Sequence, residues 1–546
     1  MVFFGLIIEK YVIPIKISRG TINMKGEHMS NIKHLADLVK VCSILPALAI
    51  MPAMADGYTV VPETLVNESK NMSGRYDWMD ASTDSAEQSV WWLKGADVTV
   101  EENTVFANNK ADVGIFSVSI QAPTSLTLKE GVLFENNSVR FDGGAVANYD
   151  VLEATGVTFR KNTAQMDYEN DVTPMGGGAI ALGSESNTII EKSKFFQNES
   201  KYHGGAIGMR GPDDGDNSAA TLDIKNSKFA GNIDLLNINN KNITIVYMEE
   251  NDFEQNKAQS GGAIYVDGGT DKAGNKASMK IVGGDMDANI AEVEGGAIHN
   301  NSSLVLNGVD FGNNLSGVDG GAIFNTGALT ISGGEYEDNR ASKDAWTDEG
   351  YGGAIFSKGK LSITDGAVFE DNMAFAGGAI YGSKWNTDGM TIDGVTFRNN
   401  KAVADAGALG IYDNALSTVK NTKFYNNKVA VVTDGITIGD IVEADGAGAL
   451  SVGQLANVNI ENVEFVGNES GVRGGAMALR HQTDRTVNMD VVLFENNKAG
   501  AQGGAFANGL GGTVNVKNGS FVGNWATQSG GAVYNGSVMN YGGEDV

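Results

Sequence analysis

The residues of this 546-residue chain that could do chemistry are few and scattered. The densest acidic cluster is Asp213-Asp214-Gly215-Asp216-Asn217. Carboxylate and amide oxygens at that density are the ligand type of hard cations such as Ca²⁺. Asp213, Asp214 and Asp216 are therefore weak metal candidates, although a solvated loop accounts for the same residues more simply. Beyond residue 55 the histidines are His203, His299 and His481, far apart and without metal-ligand spacing. His203 directly precedes a Gly-Gly pair and reads as a turn residue. No G-x-S-x-G, H-E-x-x-H or Walker A sequence is present. The many Gly pairs are not followed by helical patterns, so they make no phosphate cradle. The nonapeptide of calcium-binding β-rolls is missing as well. The sequence predicts no catalytic residue and no cofactor.

What the chain repeats is a two-part unit. F-x-x-N occurs thirteen times from Phe106 to Phe521, and G-G-A eleven times from Gly143 to Gly530. Phe311-Gly-Asn-Asn314 followed by Gly320-Gly321-Ala322-Ile323 is one complete copy. Degenerate copies start at Met286 and Tyr336, with their asparagines at Asn289 and Asn339. Softened Gly units are Ala406-Gly407-Ala408 and Gly446-Ala447-Gly448-Ala449. The shortest steps are 24 residues, Phe229 to Phe253, and 25 residues, Phe311 to Tyr336. Longer steps gain residues at two points only, between the Asn and the Gly pair or after G-G-A-I. A fixed period with insertions at fixed points marks a solenoid.

Within a unit the apolar spacing is two. Leu329-Thr-Ile331, Leu361-Ser-Ile363 and Val458-Asn-Ile460 alternate, and each run is bounded by Gly, Asn or Asp. With 72 glycines in 546 residues, long helices are excluded. The expected fold is all-β: a single-stranded parallel β-helix of about 15 coils, three short strands per coil, roughly 70 Å long at about 4.8 Å per coil. The Phe of each unit should stack on its copies, each burial contributing roughly 2–3 kcal/mol. The Asn should form an amide ladder and tolerate left-handed backbone, and the Gly pair should supply positive φ. The residue after G-G-A is always apolar (Val146, Ile180, Ile323) and reads as core. The next one varies (Ala147, Ala181, Gly208, Tyr265, His299, Phe324, Phe356, Tyr381) and reads as solvent-facing.

Three segments follow from these patterns. Residues 1–55 hold an upstream extension and a secretory signal: a basic start at Lys33, His34 and Lys40, an apolar run over Val41–Met51, and Ala53-Met54-Ala55 for cleavage. Val2–Ile8 is too short to span a bilayer. Residues 56–100 lack the repeat and carry Trp78, Trp91 and Trp92. They are expected to cap the open end of the coil; a sugar-binding Trp cluster is the alternative. Residues 101–546 are the repeat array. The only cysteine, Cys42, falls within the signal, so the processed chain would have neither thiol nor disulfide. Removing residues 1–55 leaves 34 basic against 64 acidic residues. Such a surface disfavours nucleic acid and anionic lipid, and the processed chain is not expected to span a membrane.

The alternating motifs, of which Phe253-Glu-Gln-Asn256 and Gly261-Gly-Ala-Ile264 are good copies, resemble the repeats of chlamydial polymorphic outer membrane proteins. The resemblance covers about four fifths of the chain. It implies a right-handed β-helix passenger of a Gram-negative autotransporter, displayed at the outer membrane and often adhesive. The departure is the lack of a C-terminal translocator barrel. The expected function is a secreted or cell-surface adhesin or surface-structural protein. Its contacts with host cells, matrix or glycans would lie in insertions 163–176, 211–220, 267–278, 340–351 and 428–445. The alternative is a secreted carbohydrate-active enzyme, a lyase or glycosidase. It rests on analogy of fold and requires acids from adjacent coils to converge beside an Arg or Lys.

Overall fold

A computed structural model of the chain describes residues 2–8, 11–18, 21–23, 59–60, 63–82, 88–165, 176–183, 185–201, 204–210, 220–233, 236–240, 245–268, 278–342, 350–412, 415–429, 446–453, 456–480, 485–509 and 512–542. The expected signal over 29–55, the cluster Asp213, Asp214 and Asp216, and His203 and His481 lie outside these residues. The chain divides into two units, Met1–Gly57 and Tyr58–Val546. In the first, Val2–Ile8 pairs antiparallel with Tyr11–Ser18, which pairs antiparallel with Thr21–Asn23. Among the described residues no helix is long and apolar enough to cross a membrane.

The second unit is an all-β parallel solenoid. Most turns contain four strands rather than the expected three. In the turn around Phe311 they are Ser303–Asn307, Asp310–Gly312, Leu315–Ser316 and Ile323–Asn325. Every one pairs in parallel with its copy one turn on: Leu304 with Leu329, Phe311 with Tyr336, Leu315 with Arg340, Ile323 with Ile355. The extra strand arises because a left-handed residue, here Asn313 at φ 53°, breaks the chain just before the ladder asparagine. The ladder Asn itself is not the left-handed residue. In neighbouring turns Asp338, Asp371 and Asn399 take the same corner, a conformation that short polar side chains adopt more readily than most.

We call the strands that include Ser303–Asn307 the first sheet and those that include Ile323–Asn325 the third. Among the described residues the third sheet counts seventeen strands. Thr64–Val66 and Trp91–Leu93 supply two of these, and Leu236–Asn240 another without any G-G-A motif. Pairing therefore shows no break at residue 100. Tyr76 stacks on Phe106 at 5.1 Å, and Met79 N donates to the ladder residue Asn109. Trp91 is core, 5.2 Å from Tyr76 and 5.0 Å from Phe116, which removes it from any sugar-binding cluster.

The core is a set of columns. The Phe column runs with ring centroids 4.5–5.3 Å apart wherever aromatics are consecutive, as from Phe134 through Phe159 and Phe195 to Phe229. Beside it runs the buried amide ladder from Asn109 to Asn524. The two members of the Gly pair do different work. Gly320 has φ +65°, which L side chains rarely adopt. Gly321 does not, but a Cβ there would collide with the carbonyl oxygen of Gly353 in the next turn.

Candidate functional site

On the third sheet the residue after the buried Ile points away from the core, yet solvent does not reach it as expected. Ala147 and Ala181 are fully buried, and Phe324 and Phe356 are only 2% and 4% exposed. Around Phe324 and Phe356 the reason is a second packed layer outside the sheet. Tyr265 and His299 lie 4.7 Å apart, His299 and Phe324 4.9 Å, Phe324 and Phe356 5.3 Å. The column continues through Tyr381 to Tyr412, whose rings stack at 5.0 Å. Lys358 Nζ stands 4.8 Å from the Phe324 ring and 5.2 Å from Phe356, a cation–π contact that spans two turns. Gly410 falls in the aromatic position of its turn; a Cβ there would come within 3.1 Å of Tyr381 and 3.2 Å of Tyr412.

Two polar pairs are set into this layer. His299 Nδ1 is 3.5 Å from Glu294 Oε2. Burial holds the Glu294 carboxyl above the usual range, with the Lys358 charge opposing it. At the other end of the column, Asp405 is 3% exposed. Its carboxylate accepts from Ser451 Oγ at 2.6 Å and from Arg480 Nη1 at 2.8 Å, and Ser451 Oγ accepts from Ala447 N at 3.1 Å. Asp405, Ser451 and Arg480 belong to three successive turns. Burial raises the Tyr381 hydroxyl far above its ordinary range; Asp405 and Tyr351 add to this and Arg480 opposes it. Tyr381 is therefore protonated at any physiological pH.

An acid, an arginine and tyrosine hydroxyls are the raw material of a polysaccharide-cleaving site. Here the two carboxylate oxygens of Asp405 are both engaged inside the protein, so the cluster acts as a staple across three turns. Breaking such a buried pair from one side costs about 3–5 kcal/mol. Of the acids and histidines that the sequence weighed as metal ligands, His299 alone is described, and it is a member of the stack. Asp405, Arg480 and Tyr412 were not singled out. Their one signal was the softened unit at Ala406, which keeps the left-handed turn at φ 52° with a side chain where other turns have Gly. Among the described residues no group of three or more His, Cys, Asp or Glu could hold a metal ion.

The long insertions flank this same sheet. Segments 166–175, 343–349 and 430–445 enter it, between Gln165 and Gly176, Ser342 and Gly350, and Val429 and Gly446. Segments 211–219, 269–277 and 481–484 leave it, after Arg210, Gly268 and Arg480. Compared with protein-family models and with curated proteins, the chain matches none.

Proposed function

We propose that this chain is a secreted or cell-surface repeat protein, similar to the passenger of a Gram-negative autotransporter, that contacts host-cell, matrix or glycan surfaces through its insertions. The observation that carries the reading is the placement of those insertions. They depart from the two margins of one sheet, on a solenoid whose turns are locked by the Phe column and the amide ladder. A scaffold that varies only at two margins displays sequence without disturbing its own core. The excess of acidic residues suits an extracellular, non-nucleic-acid role. The test is saturable binding of the purified full chain, coupled to beads, to cultured epithelial cells, matrix proteins and glycans. Binding above an acidic control protein is expected. Its absence on all three surfaces would overturn the reading.

A further inference from the structure

The outer face of the first sheet carries a second asparagine ladder that uses only half of its hydrogen-bonding capacity. Asn488 Nδ2 donates to Asn459 Oδ1 at 3.0 Å, Asn515 Nδ2 to Asn488 Oδ1 at 2.9 Å, and Asn540 Nδ2 to Asn515 Oδ1 at 2.8 Å. An amide offers two N–H donors and two lone pairs. The inner ladder uses all four: Asn314 donates to Asn339 and Met286 and accepts twice from Asn289. In the outer ladder Asn488 and Asn515 each spend one donor and one lone pair. Among the described residues the remaining donor and acceptor have no protein partner, and the pattern repeats every turn at about 4.8 Å.

These amides floor a groove of about 780 Å³ that also takes in Lys420, Glu461, Asp490, Lys517 and Tyr541. Its charges cancel in pairs, Lys420 with Glu461 at 2.9 Å and Lys517 with Asp490 at 3.9 Å. On a chain of formal charge −27 this is a charge-balanced, amide-lined strip. An anionic polymer would find only cations already paired. An apolar peptide would leave the amides it covered unpaired, at a cost of about 1–3 kcal/mol each.

We propose that this groove binds a strand of neutral polysaccharide lying along the solenoid axis. Sugar hydroxyls, which both donate and accept, match the unspent donors and acceptors of Asn488 and Asn515. This goes beyond the reading above, because the groove lies on the first sheet whereas the insertions flank the third.

The test is calorimetric titration of the full chain with a soluble α-glucan, a β-glucan, a mannan and, as the anionic counterpart, heparin. The variant Asn459→Thr/Asn488→Thr/Asn515→Thr keeps the sheet, since Thr391 and Thr418 occupy the same column. Binding of at least one neutral polymer is expected, weakened about tenfold or more in the variant with an unchanged circular dichroism spectrum. Equal binding by the variant, binding of heparin alone, or no neutral polymer bound would each overturn the proposal. Adhesion to cells, measured on the same samples, separates the two readings. Adhesion without neutral-polysaccharide binding removes the groove alone. Loss of both removes the surface-recognition reading as well.

Discussion

Asn314 Nδ2 donates to Asn339 Oδ1 at 2.9 Å, and the backbone N–H of Asn314 donates to the same oxygen at 3.1 Å. The second Nδ2 hydrogen goes to the Met286 carbonyl at 2.8 Å. One buried amide thus ties three turns, and the pattern repeats along the solenoid. Asn314→Ala would strip the acceptor from two Asn289 donors and the donor from Met286. At about 1–3 kcal/mol for each buried group left unpaired, a loss of about 3 kcal/mol or more is expected from urea unfolding. Asn314→Asp should be no better, because its second oxygen would face the Met286 carbonyl and Asn339 Oδ1.

Tyr336 replaces Phe in the aromatic column, 4.9 Å from Phe311 and 4.5 Å from Phe369. It is 1% exposed, and its hydroxyl has no hydrogen-bond partner among the described residues. Tyr336→Phe keeps the stack and removes the unpaired group. It should stabilise the chain by about 1 kcal/mol, read as a higher urea midpoint at unchanged slope.

Val491 has φ 54° and is 52% exposed. The same corner one and two turns earlier is held by Asn462 and Asn421, at φ 53° and 48°. A β-branched residue in that region is strained. Val491→Asn is expected to stabilise by about 1 kcal/mol, measured by the same unfolding series. A loss of stability would show that the Val side chain packs in a way that offsets its backbone.

The fold shows more in its sequence than the site does. Phe311 and Ile323 announce the core because an apolar column must repeat at every turn, and Asn314 announces the ladder because amides bond best to amides. The four-strand turn was hidden because the left-handed corner accepts Asn313, Asp338 or Ala288 alike and leaves no constant letter. The outer aromatic layer was hidden for a different reason. Phe324 and Phe356 sit at a position that is Ala147, Ala181 or Gly208 elsewhere, so variation resembled solvent exposure. It was instead variation in what covers the sheet. Tyr76 and Trp91 were missed as rungs because their turn lacks both motifs.

Acidic residues crowd the outer face of the middle turns, and this sets a pH dependence. Burial raises the Asp285 carboxyl, and Asp252, Asp310, Asp287 and Glu250 raise it further. Glu337 is raised by desolvation, then by Asp338, Glu370, Glu335 and Asp371. A carboxyl raised in the folded state binds more protons there than in the unfolded chain, between the two pKa values. Its contribution to stability therefore grows as pH falls through the folded pKa and levels off below the unfolded one. Asp285→Asn should raise stability at neutral pH and flatten the gain on mild acidification. An unchanged slope would contradict the assignment.

The most direct measurement is adhesion of the full chain before and after its insertions are shortened. Segments 211–219, 269–277 and 343–349 would be replaced by short Gly-Ser links at the corners that already carry them, with circular dichroism to confirm that the solenoid persists. Surface recognition through the insertions predicts that cell binding falls sharply while the unfolding midpoint holds. Undiminished adhesion by the shortened chain would contradict it and move recognition to the solenoid faces.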